Sequence, residues 1–183
     1  VESQFDEYGA NIIITPRSDS LSLTYGGVNL SGIITAVDEI NHSEISNIWS
    51  IPNNKNLRAV SPKLIGVEQI KTDDIEENVL LVGVDPAEET KIKAWWKVKG
   101  RYPHTDGEIL IGIDASEKLG LSVGDHVDIR GNSLQVTGIL GATGSQDDHA
   151  IIAPISSIER ILNKPGKVSI VEVSALCSDC PID

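Results

Sequence analysis

The stretch Asp114–Leu140, DASEKLGLSVGDHVDIRGNSLQVTGIL, decides how the rest of the chain is read. Ala115, Leu119 and Leu121 are spaced for a short amphipathic helix, and Gly120 suits the left-handed position just past a helix end. Ser122-Val123-Gly124-Asp125 then reads as a tight turn. Val127 and Ile129 alternate with His126, Asp128 and Arg130, the period of a strand with one buried face. Gly131-Asn132 is a two-residue hairpin signal, after which Leu134 and Val136 resume the alternation. A helix, a turn and a β-hairpin therefore follow one another in this stretch.

Working outward, apolar runs that read as strands flank it on both sides. Glu108–Ile113 leads into it, and Val79–Val84 is a second strongly apolar strand. Leu57–Val60 and Leu64–Ile70 read as strands interrupted near Pro62. Asn11–Thr15 is a buried strand closed by Pro16. Val168–Val173 closes the chain, after a helix over Ile155–Leu162 that turns Ile158, Ile161 and Leu162 inward. Ala150–Ala153 is a short strand before Pro154. A short helix over Glu44–Ser50, capped by Ser43, has Ile45, Ile48 and Trp49 as its apolar stripe. Thr72–Asn78 reads as a solvated acidic loop, Asp85–Thr90 as a polar turn and Gly141–His149 as a polar loop. Ser18–Thr24 reads as a strand or arm, and Leu30–Ile40 as extended or irregular chain. Strands and short helices interleave throughout, which makes the fold class α+β.

Composition narrows the function classes. The chain of 183 residues has 40% hydrophobic content, enough for an ordinary core and against disorder. Its formal net charge of -12 repels phosphate backbones and anionic headgroups, so no nucleic acid or membrane surface is expected as a direct partner. It begins at Val1 and has no methionine, which reads as a processed protein or an excised piece. No run is long and apolar enough for a membrane helix, so this piece itself is not expected to be membrane-inserted. Cys177 and Cys180, in CSDC, suit a local disulfide in an oxidising compartment; in the cytosol the same spacing suggests redox chemistry or half a metal site.

Candidate chemistry is thin. Gly120-Leu121-Ser122-Val123-Gly124 matches G-x-S-x-G, but the nucleophile elbow needs a strand before the serine and a helix after it, and here the order is reversed. Ser122 reads as a turn residue, and neither His126 nor His149 stands in a triad context. His104 with Asp106, and Asp147-Asp148-His149, offer metal ligands without a helical ligand spacing, in loops where such residues usually cap or face solvent. Adjacent Trp95 and Trp96 would point to opposite strand faces, one into the core and one free to anchor a partner; packing of both within the domain is the favoured reading. Asn29-Leu30-Ser31 and Asn41-His42-Ser43 match the glycosylation acceptor pattern, a common chance triplet. The expected assignments are no catalytic residue, no cofactor site and no metal site.

The order of segments carries a resemblance. GANIIITP (9–16), LRAVSPKL (57–64), VLLVGVDP (79–86), WWKVKGRYP (95–103), the run from Asp106 to Leu140, DDHAIIAPISSIERIL (147–162) and VSIVEVSA (168–175) follow one another as in the extracytoplasmic core domain of MacB/FtsX-type ABC transporter permeases. The likeness spans about residues 8–176. It implies a noncatalytic domain of a membrane protein, periplasmic or extracellular, set between the first and second membrane helices. It implies coupling of cytoplasmic ATP hydrolysis to export or other extracytoplasmic work. The implied partners are a second permease copy, a cytoplasmic ATPase subunit or domain and, in Gram-negative relatives, a periplasmic adaptor protein. The implied architecture is one domain over 1–183. A porter-like α/β subdomain takes 8–75 with 148–176, and a smaller inserted mixed subdomain takes 84–145. CSDC would then lie in an oxidising space, where a disulfide fits. The alternatives are a secreted or periplasmic hydrolase using Ser122, and a soluble β-barrel binding module sharing only the LGL..GD turn.

Overall fold

Alternation along three central strands builds two cores on one sheet. A computed structural model describes residues 9–16, 24–25, 28–29, 39–71 and 75–176. Its main sheet runs in the order β1 (Ile12–Ile14), β13 (Ile170–Ala175), β5 (Leu57–Lys71), β6 (Glu76–Val84), β11 (Ala150–Pro154), β8 (Glu108–Gly112), β10 (Asn132–Leu140), β7 (Val98–Gly100), and β9 (His126–Ile129) pairs with β10 off this path. Two small antiparallel pairs stand apart: β4 (Ile40–Asn41) with β12 (Lys167–Val168), and β2 (Thr24–Tyr25) with β3 (Val28–Asn29). β11 runs parallel to β6, and β8 runs parallel to β10, so the sheet is mixed. With its helices, the fold is α+β. Among the described residues the sheet is open, ending in β1 and β7, and is not the closed barrel of the binding-module alternative.

Central strands buried on both faces carry unbroken apolar runs. Val79 and Leu81 of β6, Ile109 and Ile111 of β8, and Ile151 and Ala153 of β11 face one core, closed by α2 (Ile113–Leu119) and α3 (Ile155–Leu162). Val82 and Val84, Leu110, and Ala150 and Ile152 face the other, which Trp96 closes. A third cluster gathers Val60, Val171 and Val173 under the 3-10 helix His42–Ser50 through Ile45. Two glycines set how closely α3 approaches. A Cβ at Gly83 would stand 2.9 Å from Ile158 Cβ, and one at Gly66 would meet Leu162 Cδ1 at 2.6 Å.

The opening stretch folds as read, with one shift of a residue. α2 ends at Gly120 (φ 65°), whose N–H closes on the Glu117 and Ser116 carbonyls. The β9–β10 turn is Arg130-Gly131, both at positive φ (52° and 76°), because Asn132 already pairs with Ile129. Two positive-φ residues are what the hairpin turn matching strand twist demands. α3 spans Ile155–Leu162 as expected.

Other expectations are corrected. β5 runs through Pro62 without a break. Ser169 N donates to the Lys63 carbonyl at 2.7 Å, so Lys63 turns toward β13 and Pro62 turns the other way. There β6 has ended, since its last residue Val84 pairs with Lys63, and the missing N–H of Pro62 leaves no gap in a ladder. The acidic stretch is in part strand: Glu76, Glu77 and Asn78 pair with Lys71, Ile70 and Gln69. Asp85–Thr90 is not a turn but the start of α1 (Pro86–Ile92), with Asp85 accepting from the Ala87 and Glu88 amides and Pro86 at the first helical position. The Glu44–Ser50 helix is a 3-10 helix, N-capped by Asn41 without a side-chain cap bond, and Trp49 is exposed on it. Trp95 and Trp96 follow α1 instead of lying on a strand; Trp96 is buried and Trp95 is 46% exposed, so packing within the domain holds for Trp96 alone. The readings of Ser18–Thr24, Leu30–Ile40 and the CSDC tail fall almost wholly outside the described residues.

Candidate functional site

The chemistry gathers where α1 lies across β5 and β13. Ser61 and Lys63 project from the same face of β5, two residues apart. On β13, Glu172 is the register partner of Ser61 and so stands diagonal to Lys63. Glu89 and Lys93, one helical turn apart, come down from α1. Lys63 is fully buried, with Nζ 2.9 Å from Glu89 Oε1 and 2.9 Å from Glu172 Oε2. Ser61 Oγ donates to the second Glu89 oxygen at 2.9 Å. Lys93 Nζ is 3.7 Å from Asp147 Oδ2 and 4.0 Å from Glu172 Oε2. It also stands 5.9 Å and 5.5 Å from the rings of Trp95 and Trp96, within cation–π range.

Three carboxylates and two ammoniums thus share a desolvated space. Burial works against the charge of Lys63, but Glu89 and Glu172 outweigh it and hold its pKa above the usual lysine value. Burial and the charge of Glu89 push the Tyr102 phenol upward as well. Each anion is answered by a cation or a hydroxyl, and the arrangement ties α1, β5, β13 and the 3-10 helix Gln146–His149 to one another. Such a network fixes relative position; its net stabilisation is small because desolvation offsets attraction.

Of the residues singled out from sequence, Trp95, Trp96 and Asp147 border this cluster and the others lie elsewhere. Asp147 joins the ionic cluster, and Asp148, also buried, organises its own loop. It accepts from Thr143 N at 2.8 Å, Thr143 Oγ1 at 2.7 Å and Gly144 N at 2.9 Å. Burial opposes its ionisation, yet these hydrogen bonds win and hold its carboxyl below the ordinary value. Of the two roles expected for loop acids, capping and facing solvent, Asp148 takes the first, and neither residue faces solvent. His149 Nδ1 lies 3.4 Å from Asp114 Oδ2 at the surface. Asp106 accepts from Ser156 Oγ (2.5 Å) and Ser157 Oγ (3.3 Å) and pairs with Arg160, away from that loop. His104 N and Thr105 N donate to Glu108, whose carboxylate also takes both Arg101 terminal nitrogens; the arginine and these amides keep Glu108 far below the usual carboxylate range. Ser122 N donates to Asp125 Oδ2 at 2.8 Å and Ser122 O accepts from Asp125 N, a closed turn between α2 and β9. Among the described residues no three His, Cys, Asp or Glu side chains gather as metal ligands. Lys63, Glu89 and Glu172 were not singled out from sequence. The signal lay in a lone lysine inside LRAVSPKLIGV and a lone glutamate inside VSIVEV, since charges inside apolar strands seldom stay buried unpaired.

With this geometry in place, the model of one family, the MacB-like periplasmic core domain, matches residues 1–175. The chain belongs to that family. No curated protein matches it in sequence. Among solved structures it is similar to the extracellular domain of the noncanonical ABC-type transporter YknZ from Gram-positive bacteria, at 16% identity and a TM-score of 0.62 over 77% of this chain and 75% of that one. It is also similar to the periplasmic region of MacB from Actinobacillus actinomycetemcomitans, at 11% identity and a TM-score of 0.64 over 79% and 69%. A domain of a Porphyromonas gingivalis protein described as a permease aligns at 13% identity and a TM-score of 0.54 over 78% and 65%. At these identities the likeness is one of fold. This MacB-like domain has no helix among its described residues long and apolar enough to cross a membrane.

Proposed function

We propose that this MacB-like domain is the extracytoplasmic part of an ABC transporter permease, and that it transmits motion and binds partners without catalysing a reaction. The family match over residues 1–175 carries the reading. The chain path supports it. Asn11 N donates to the Val173 carbonyl at 3.1 Å, Asn11 Nδ2 to the Ala175 carbonyl at 2.7 Å, and Ala175 N returns a bond to Asn11 Oδ1 at 3.0 Å. Entry and exit strands thus lie side by side, as a domain held between two neighbouring membrane helices requires. In this reading a cytoplasmic ATPase drives the helices, two permease copies pair, and a periplasmic adaptor or the cargo meets the outer surface. The same reading assigns residues 8–75 with 148–176 to a porter-like part and 84–145 to an inserted part.

The full-length permease with its ATPase tests this in liposomes. Spin labels at Ser46 of both copies should change separation on addition of ATP, and an ATPase-dead partner should abolish the change. An unchanged separation through the whole nucleotide cycle would sink the reading.

A further inference from the structure

We propose that the free edge of β7 docks an extended acidic segment of a partner protein, with Lys97 and Lys99 reading its charge. This deepens the partner-binding part of the reading above and rests on it. β7 ends the sheet, with β10 on one side and no described strand on the other. Gly141 N donates to the Lys97 carbonyl at 2.8 Å and Arg101 N to the Thr137 carbonyl at 2.9 Å. In an antiparallel pair such bonded positions alternate with unbonded ones, so the N–H and C=O of Val98 point away from β10. An extended chain arriving there finds a donor and an acceptor on offer.

The surroundings favour one kind of chain. A surface groove of about 350 Å³ lies against this strand, lined by Lys97, Val98, Lys99, Ile113, Ile139 and Gly141. Its floor is aliphatic and its rim cationic. Trp95, 46% exposed, stands two residues before Lys97. The stretch KIKAWWKVKGR (91–101) holds five of the fifteen lysines and arginines of a chain whose net charge is -12, and no acidic residue. Lys91 pairs with Glu88, Lys93 with Asp147 and Arg101 with Glu108. Lys97 and Lys99 have no ion pair among the described residues. A positive edge on an acidic protein selects an acidic partner. Lysines along an edge also repel an identical edge, which argues against β7-to-β7 pairing of two copies.

Fluorescence anisotropy with labelled octapeptides tests the proposal on the chain itself. An alternating Glu–Val peptide should bind saturably and weaken with salt, and its Lys–Val counterpart should not bind. The double variant K97E/K99E, a surface change checked for native folding by near-ultraviolet circular dichroism, should lose at least tenfold in affinity for Glu–Val and gain Lys–Val binding. Val98→Pro removes an outward N–H and no ladder bond, and should weaken Glu–Val binding severalfold with both lysines in place. Equal binding of both peptides, indifference to the charge reversal, no peptide binding, or binding to phosphatidylglycerol vesicles in place of the peptide would each overturn it. Peptide binding without any nucleotide-dependent change in label separation would preserve this surface while removing the permease reading.

Discussion

Lys63 and Glu89 meet at 2.9 Å in the protein interior, each almost wholly shielded from water. Removing one partner leaves the other charged and buried. Lys63→Met should destabilise the domain by about 3–5 kcal/mol, read as a lower midpoint in urea unfolding. Adding Glu89→Gln and Glu172→Gln to that variant should restore part of the loss, since no uncompensated charge then remains. A single variant as stable as the parent would show that the cluster is not desolvated as described.

The same lysine sets the alkaline behaviour. Its folded pKa lies above the unfolded value of about 10.4, so its contribution is complete below that pH and is lost as pH rises through the folded value. Unfolding midpoints should therefore hold up to about pH 10 and fall above it, and the fall should be shallower in Lys63→Met.

Asp148 works in the opposite direction. Its folded pKa is depressed below an unfolded value of about 3.9, so its contribution is present above that value and disappears as pH falls through the folded one. Asp148→Asn should flatten the acid limb of a stability–pH curve. At neutral pH it should cost about 1–3 kcal/mol, because an amide cannot accept every bond offered by Thr143 and Gly144. An acid limb of unchanged steepness would contradict the assignment.

Gly83 marks where α3 touches β6. Gly83→Ala places a methyl 2.9 Å from Ile158 Cβ and 3.0 Å from Ile155 Cα, and should cost about 1–3 kcal/mol by overpacking. In a double-mutant cycle, Ile158→Ala, which removes the Cγ1 atom 3.2 Å from that methyl, should relieve part of that cost. Strict additivity of the two changes would rule out the close approach.

Asp85 caps α1 with bonds to the Ala87 and Glu88 amides at 2.9 and 3.4 Å. Asp85→Ala should lower stability by about 1 kcal/mol. It should also loosen α1 enough to speed hydrogen exchange at the Glu89 and Lys93 amides, which bond to the Asp85 and Glu89 carbonyls. Unaltered exchange at both would leave the cap without a role.

Period and turn chemistry made the centre of the fold legible. The alternation of Val127, Ile129, Leu134 and Val136, the cap at Gly120 and the stripe Ile158, Ile161 and Leu162 predict elements that the structure contains. Local signals failed where a tertiary partner decided the outcome. Pro62 breaks a strand only if a neighbour needs its N–H, and no neighbour is there. Asp85-Pro86 is a helix start, but the four polar residues Asp85, Glu88, Glu89 and Thr90 make the segment read as a turn. Asp147 and Asp148 look like loop acids that cap or face solvent, and nothing local reveals that Lys93 and the Thr143 loop enclose them. The ionic cluster draws residues from the chain's middle and its end, so only the sheet register of β5 with β13 shows that Lys63 and Glu172 are neighbours.

The pairing of β1 with β13 has a mechanical consequence. Three residues of β1 join β13 in antiparallel register, with Asn11 and Ala175 bonded to each other at the same end. A pull applied to both ends together loads β13 along its axis, and β13 is bonded to β5 over most of its length, so the sheet resists as one body. A pull that separates the two ends loads the bonds one after another, starting at Asn11, and β1 peels away like the first teeth of a zip. The domain is therefore stiff toward tethers that move in concert and yielding toward tethers that move apart.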